Sequence, residues 1–285
     1  MQMQPYELDE LEFAYCSHVY YRWHTHWRKA QPGLARITPC QIQAERPDVH
    51  ILELESSESE LALLASLRPS DSVSSAASKL KGGTSKIVRQ MDKIDSREKI
   101  LGEGYFACTT GPRTSEELNR YLDQQGQHHG YNKRANPPVY VRTWPAPNLH
   151  DLQANRSRTV VRWHFVFSTW DRKGTFTAEA AEATLDRWED LLSRVRFRFL
   201  KASFVPDHIH LAIQTHPAVV PAQLVPEFLN SSQDLMLEQF DDLIIRTGYP
   251  RVWKPSAYIG TVGDLANGQI QAYLRNWGRR EGRDS

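Results

Sequence analysis

The chain reads YFACTTG at residues 105–111 and AYIGTVG at residues 257–263. When the two stretches are aligned without a gap, Tyr121 meets Tyr273 further along. Each copy has the pattern of an extended segment, a glycine turn and an amphipathic helix that carries a tyrosine. Because the same order of elements recurs, the sequence predicts a fold built from two similar units.

The beginnings of the two units also match. HVYY at 18–21 aligns with HFVF at 164–167, and both are aromatic and β-branched runs typical of strands. Between the units, residues 126–157 are rich in proline and glycine, which favours a linker over a core element. The sequence therefore predicts a first domain at residues 1–130, a linker at 131–157 and a second domain at 158–285.

The second unit has the clearest periodicity. Apolar residues at helical spacing over 178–194, with Thr177 as N-cap, predict a helix. Alternation of arginine with apolar residues over 194–199 predicts a strand. Further strands are predicted at 160–168 and 204–214, and further helices at 221–240 and 267–277. This order predicts an α+β fold with helices on one face of an antiparallel sheet.

Bulk composition narrows the class of protein. The 285 residues, 40% of them hydrophobic, suffice for one large core or two small ones. The formal net charge is only +1, so a nucleic-acid surface would have to concentrate its positive charge locally. The three cysteines lack paired spacing and are expected to be reduced thiols. With no apolar leader and no membrane-length apolar run visible, we expect a soluble cytoplasmic protein.

Two histidines stand in the sequence PDHIHL at residues 206–211. Residues i and i+2 of a strand point the same way, so His208 and His210 can present two imidazoles to one metal ion. A complete site needs a further ligand from elsewhere. Surface or hydrogen-bonded histidines often show the same spacing, and the motif alone leaves that alternative open. Asp207 is either a partner of this pair or simply a polar residue entering the strand.

A tyrosine and a glutamine lie one helical turn apart on the helix that follows residue 114. Thr114 and Glu117 form a capping-box pattern, and Tyr121 and Gln125 then share a face. A phenol is a poor nucleophile near neutral pH because its reference pKa is about 10. A divalent metal helps by polarising the electrophile, and a glutamine carbonyl can bind that metal. The alternative is an amphipathic helix whose tyrosine packs at the edge of the core.

Together these motifs resemble the HUH single-tyrosine transposases of bacterial insertion sequences and their relatives, the REP-associated tyrosine transposases. The resembling stretches are LKGGTSKIVR (80–89), GYFACTTG (104–111), YLDQQ (121–125), PDHIHL (206–211) and VWKPSAYIGTVGDL (252–265). The resemblance implies ferredoxin-like domains that cleave hairpin-bearing single-stranded DNA through a 5′-phosphotyrosine intermediate, leaving a free 3′-OH. It also implies Mg²⁺ or Mn²⁺ held by the two histidines and the glutamine, and no nucleotide cofactor.

The two units depart from the family pattern in complementary ways. The second unit keeps the histidine pair but has Trp277 in place of the glutamine, and an indole cannot bind a metal. In the family, one subunit of a dimer commonly supplies the tyrosine helix to the histidines of the other. We therefore expect an internal pseudo-dimer, monomeric as a chain, with one composite site. Its catalytic residue is Tyr121, and its metal ligands are His208, His210 and Gln125.

The opposite combination is expected to be degenerate. The first unit reads PDVHIL at residues 47–52, where Asp48 aligns with the first histidine and His50 with the second. With Tyr273 they form the expected second site. A carboxylate can bind Mg²⁺, so residual activity there stays open. Packing is the expected role of Tyr273.

Single-stranded DNA binders combine a basic groove with aromatic side chains on which bases stack. Basic positions near aromatic residues are therefore candidate DNA contacts. The candidates are Arg22, Lys81, Lys86, Arg172, Lys173 and Arg196. An ordinary solvated surface is the alternative for each of them.

Two other functions compete with a transposase that nicks and rejoins DNA. Loss of ligands from each unit also suits a domesticated, catalytically weak or inactive protein that binds hairpin DNA. A replication or conjugation nickase of the same broad class is expected to need longer accessory regions.

Overall fold

The computed structural model of the chain describes residues 5–124, 140–145, 152–193 and 196–264. Within these ranges the chain is an α+β fold, as predicted. The strands are β1 (Glu12–Cys16), β2 (His18–His24), β3 (His50–Ser56), β4 (Glu60–Ser66), β5 (Phe106–Thr110), β6 (Tyr140–Thr143), β7 (Arg158–Thr169), β8 (Phe197–Val205), β9 (His208–Thr215) and β10 (Trp253–Val262). The α-helices are α1 (Pro32–Ala35), α2 (Pro39–Glu45), α3 (Val73–Asp92), α4 (Ser115–Asp123), α5 (Ala178–Glu189), α6 (Pro221–Gln239) and α7 (Asp241–Thr247).

The described strands form one sheet that consists of two antiparallel sets. The first set has the order β3-β4-β2-β5, and the second has the order β8-β9-β7-β10. In both sets the chain runs from a strand through helix to a hairpin, then through helix to a last strand. The two sets therefore share one topology, the split β-α-β arrangement.

The two sets join through two parallel strand contacts. β5 pairs with the first residues of β7, where Phe106 faces Arg158. β10 pairs with β1, the strand directly before β2, where Tyr258 faces Ala14. The contacts are reciprocal, because the last strand of each set lies beside the chain that leads into the other: β5 beside the start of β7, and β10 beside β1, which precedes β2. Residues 5–16, predicted within the first domain, thus pack largely on the second set.

Helices cover both faces of the second set, whereas the sequence predicted helices on one face only. Burial alternates along β7, and Phe167 packs against Trp188 of α5 and Phe228 of α6, with ring centroids about 6 Å apart. Burying each such side chain contributes about 1.5–3 kcal/mol. On the opposite face, Leu118 and Leu122 of α4 form a separate apolar cluster with the second set. Thus α4, which follows the last strand of the first set, packs on the sheet of the second.

The predicted linker contains a strand. β6 lies within residues 131–157 and pairs antiparallel with β8 at the edge of the second set. Arg142 on β6 makes ion pairs with Asp186 at 2.6 Å and Glu189 at 3.1 Å, and Trp144 stacks on Phe199. The prediction of a linker without secondary structure over this stretch was wrong. Its overall proline-rich composition favoured a linker, although the short segment 140–143 alternates in burial as a strand does.

Several predicted element boundaries agree with the structure, but the strand predicted over 194–199 begins at Phe197 and runs to Val205. Thr177 caps α5 as predicted, but α5 ends at Glu189 and a 3₁₀ turn follows it. The strand predicted over 204–214 is interrupted by a turn at Pro206 and Asp207, which separates β8 from β9. The helix predicted at 267–277 lies outside the described residues. In the part of the chain that the structure describes, no helix has the length and apolarity to span a bilayer.

Candidate active site

The predicted histidine pair opens β9, an inner strand between β7 and β8. Because side chains alternate along a strand, Ile209 and Leu211 enter the core while His208 and His210 share the opposite face. That face is the one that α4 covers. The two histidines are only 2% and 7% exposed, so their surroundings fix their orientation.

The Nδ1 atom of each histidine is engaged by a neighbour. His208 Nδ1 lies 2.7 Å from Asp207 Oδ1, and His210 Nδ1 lies 2.9 Å from His164 Nε2. A contact of this kind at Nδ1 is the usual arrangement in a metal-binding histidine, whose ligand atom is then Nε2. Arg172 Nε lies 2.8 Å from the other oxygen of Asp207. Burial opposes ionisation of Asp207, but the hydrogen bond with His208 and the charges of His208 and Arg172 hold its pKa below the usual value.

His164 supports this pair from the neighbouring strand β7. Its ring stacks on His210 with centroids 5.1 Å apart. Burial, with a smaller contribution from the positive charge of Arg113, lowers the pKa of His164 to about 4. The imidazole is therefore neutral at physiological pH, and it can either donate to or accept from His210.

The predicted nucleophile helix lies directly over the histidines. Thr114 and Glu117 form the predicted capping box at the start of α4. Leu118 and Leu122 are buried on the second set, and Tyr121 is half-buried between them and the histidines. The ring of Tyr121 meets that of His210 edge to face, with centroids 5.4 Å apart and planes at 82°. The structure thus brings together residues that the sequence assigned to different units.

Two side chains from β8 attach the end of α4 to the sheet. The Lys201 Nζ donates to Asp123 Oδ1 at 2.6 Å and to the Asn119 carbonyl at 3.3 Å. The Ser203 hydroxyl donates to the Leu122 carbonyl at 3.1 Å. A β-bulge between Phe199 and Lys201 shifts the alternation of β8, so that Lys201 and Ser203 face α4.

A cation also stands beside the tyrosine. The guanidinium carbon of Arg113 lies 5.3 Å from the ring centroid of Tyr121. Arg113 is exposed, and its positive charge contributes to the lowered pKa of His164. A guanidinium in this place can bind a phosphate that approaches the tyrosine hydroxyl.

Gln125 and Tyr273, two further predicted site residues, lie outside the described residues. Among the residues that are described, no group of three or more His, Cys, Asp or Glu side chains is arranged to hold a metal ion. The donor set visible here is therefore the pair of imidazoles alone.

Asp48 and His50 do not occupy the place of the histidine pair. They lie before and at the start of β3, an edge strand, whereas β9 lies inside the sheet. The carboxylate of Asp48 forms an ion pair with Lys79 Nζ at 2.7 Å, which lowers the pKa of Asp48. His50 is exposed and faces Ser66 at the far end of β4. The predicted correspondence of Asp48 and His50 with His208 and His210 was therefore wrong, because the two similar sequence motifs lie on strands that are not equivalent in the two sets.

β4 is the strand of the first set that occupies the position of β9. Each is the second strand of the hairpin in its set, and each begins opposite the C-terminal end of the set's first strand. Glu60 and Ala62 consequently stand where the second set has His208 and His210. The first set has no imidazole pair at this position.

The predicted DNA contacts differ in their surroundings. Three of the six are held in ion pairs: Arg22 with Glu60, Lys86 with Glu45 and Arg172 with Asp207. Lys81 is half-buried on α3, and burial together with the charge of Lys99 lowers its pKa. Lys173 and Arg196 are exposed. Arg172 serves the histidine site through Asp207, a role that the sequence did not reveal.

The sequence missed three residues of this site. On β7, Val166 pairs with His210, and His164 lies two residues away. Strand alternation alone would therefore have placed His164 on the face of the histidine pair. Arg113 lies just before the predicted cap of α4, where only the docked helix shows its relation to Tyr121. Lys201 was hidden, because the bulge reverses the face that a regular strand would give it.

Comparison with known proteins agrees with the resemblance of the motifs. The family model described as Transposase IS200 like matches residues 34–125 and again residues 157–277. The transposase for insertion sequence element IS200 of Salmonella typhimurium is 26% identical over 115 residues, covering 40% of this chain and 75% of that protein. The ISDra2 transposase TnpA of Deinococcus radiodurans is 23% identical over 120 residues, covering 41% and 83%.

Among solved structures, a candidate transposase from Deinococcus radiodurans matches 41% of this chain and 90% of its own, with 24% identity and a TM-score of 0.35. The two matches to the family model together span most of the sequence, and each contains one of the two strand sets or the greater part of it. The chain belongs to the IS200-like transposase family.

Proposed function

We propose that the protein is a metal-dependent transposase that nicks and rejoins hairpin-bearing single-stranded DNA at one composite active site. The observation that carries this proposal is the edge-to-face contact between Tyr121 of α4 and His210 of β9. A nucleophile from one family match thereby faces the histidine pair of the other. Neither match alone offers the full residue set, since Glu60 and Ala62 replace the histidines in the first and Trp277 replaces the glutamine in the second.

An internal pseudo-dimer of two ferredoxin-like units accounts for this arrangement. Three observations support it: the common topology of the two strand sets, the reciprocal parallel contacts between them, and the two successive matches to one family model. A twofold dimer whose subunits become joined in one chain keeps both halves of its interface. Each unit is then free to lose the residues that the other supplies.

The histidine pair fits a divalent cation such as Mg²⁺ or Mn²⁺. Asp207 and His164 engage the Nδ1 atoms of His208 and His210, which orients both Nε2 atoms as ligands. Gln125, next in sequence after the described part of the chain, is the proposed third ligand. When bound, the cation supplies charge stabilisation to the phosphate oxygens.

The proposed reaction uses the protein residues in the following way. The Tyr121 hydroxyl oxygen attacks the phosphorus, its proton passes to solvent, and a 5′-phosphotyrosine bond forms. The bond between phosphorus and the 3′ oxygen breaks, and that oxygen takes up a proton to become a free 3′-OH. Rejoining reverses these steps, so no nucleotide cofactor is required. Arg113 neutralises the phosphate beside the phenol.

A labelled hairpin oligonucleotide incubated with Mn²⁺ tests the proposal. We expect a covalent protein–DNA adduct on a denaturing gel. Tyr121→Phe should abolish it, whereas Tyr273→Phe and the exposed control Tyr15→Phe should leave it unchanged. Tight binding by the unaltered chain with no adduct under any metal condition would instead identify a domesticated hairpin-binding protein.

A further inference from the structure

A cavity of about 1230 Å³ lies in the first strand set. Its walls come from the C-terminal end of β2, the start of β5, the loop before β5 and the segment that leads into β7. Glu60 contributes to the wall, and it occupies the position that His208 has in the second set. The cavity is therefore the first set's counterpart of the active site.

The cavity is strongly cationic. Four of its described lining residues are arginines, Arg22, Arg28, Arg156 and Arg158, and one is a carboxylate, Glu60. Arg22 makes an ion pair with Glu60 within the cavity, and Arg156 makes one with Glu103. The surplus positive charge therefore lies mainly on Arg28 and Arg158. Both are exposed, and neither makes an ion pair with any carboxylate among the described residues.

Aromatic side chains line the same cavity. Phe106 is 37% exposed, and its ring meets the buried Tyr20 edge to face with centroids 6.1 Å apart. Trp27, directly before Arg28 in the chain though not part of the wall, is 89% exposed. Exposed aromatic faces beside a cationic wall are the combination with which proteins bind single-stranded DNA, since bases stack and phosphates bind to the cations. A purely anionic ligand would not need the aromatic surface.

Among the residues that the structure describes, the cavity lacks the imidazole pair on which the proposed cleavage depends. Glu60 and Ala62 replace the two imidazoles, and the carboxylate of Glu60 is already neutralised by Arg22. The tyrosine of α4 lies on the other strand set. A strand held here would therefore remain uncut.

We propose that this cavity is a second binding site for single-stranded DNA, which holds the strand without cutting it. Arg28 and Arg158 bind phosphates, and Phe106 offers a stacking surface to a base. This inference rests on the proposed action on single-stranded DNA, and it assigns the degenerate half of the chain a binding role. DNA held here lies on the same sheet as the strand at Tyr121, so the protein can hold two segments at once.

A binding measurement tests this site separately from cleavage. The probe is a fluorescein-labelled 20-nucleotide oligothymidylate, with EDTA present, so that neither a hairpin nor metal-dependent chemistry is involved. We expect the double variant Arg28→Gln/Arg158→Gln to bind about tenfold more weakly. The slope of log Kd against log salt should fall by about 1.4, or about 0.7 for each lost phosphate contact. Arg97→Gln, at an exposed arginine outside the cavity, should match the unaltered chain.

The aromatic contact and the location have their own readouts. Phe106→Leu keeps an apolar side chain in β5, and it should weaken binding about fivefold or more with the salt slope unchanged. In mass spectrometry after phenylglyoxal treatment, the oligonucleotide should protect Arg28 and Arg158 but not Arg97. If affinity and salt slope are the same in the double variant and neither arginine is protected, the proposal is overturned. Adduct formation at Tyr121, assayed on the hairpin substrate, succeeds or fails independently.

Discussion

The ring of Tyr121 stands edge-on to the ring of His210, with centroids 5.4 Å apart, although Tyr121 follows the first strand set along the chain and His210 lies in the second. The contact depends on α4 lying across the second set instead of its own. Buried leucines hold the helix there, and polar contacts from β8 fix its end.

Lys201 should act as a positioning residue for the tyrosine. Lys201→Met removes the contacts of its ammonium group with Asp123 and Asn119, so the end of α4 should loosen. Because small displacements of a nucleophile are costly, we expect adduct formation to slow on the order of tenfold or more. Hydrogen exchange of α4 should rise in parallel. Lys254→Met, at an exposed lysine, is the matched control; equal exchange in both variants would refute the positioning role.

Arg113 should contribute to the rate and not to the stability of the protein. Arg113→Gln removes the guanidinium beside Tyr121, and we expect adduct formation to slow by about 10- to 100-fold. The melting temperature should stay unchanged, because the side chain is exposed. Arg113→Lys should recover part of the rate, since it keeps the charge but not the planar fork. Arg120→Gln, on the same helix, should have little effect.

Asp207 should control metal affinity through His208. Asp207→Ala removes the acceptor at Nδ1 and should weaken Mn²⁺ binding about 10- to 100-fold, as measured by electron paramagnetic resonance titration. Asp207→Asn keeps an acceptor oxygen and should have a smaller effect. Asp95→Ala, at a carboxylate that pairs only with exposed Arg97 among the described residues, provides the control. Unchanged affinity in Asp207→Ala would show that the histidines are oriented by other contacts.

Tyr6 should give stability that is lost at alkaline pH. Its hydroxyl donates to the Trp253 carbonyl and accepts from the Trp253 amide, both at 2.8 Å, inside the core. Burial raises its pKa, so the folded state holds the proton that an unfolded tyrosine releases near pH 10. The contribution is therefore complete below about pH 10 and is lost as the pH rises further.

Urea unfolding at several pH values measures this effect. Tyr6→Phe should cost about 1–3 kcal/mol at pH 8, because two buried backbone groups lose their partner. The difference between the unaltered chain and Tyr6→Phe should shrink above pH 10. A difference that stays constant through that range would mean that ionisation of Tyr6 does not limit stability.

The sequence by itself determined the α+β class, the capped tyrosine helix and the histidine pair on one strand face. These features depend on local periodicity and on side chains close together in the chain, so the pattern of residues is enough to predict them. It also suggested that Tyr121 would face His208 and His210, but only by analogy with dimers of the family. The packing of Leu118 and Leu122 on the second set is what places the helix there.

Only the tertiary structure decided the rest. Strand pairing placed Glu60, and not Asp48, at the position that corresponds to His208, because register depends on hydrogen bonds between distant segments. A bulge turned Lys201 toward α4, and β6 formed within a stretch whose composition resembles a linker. Such outcomes depend on long-range packing and on irregular backbone, and neither has a signature in the neighbouring residues.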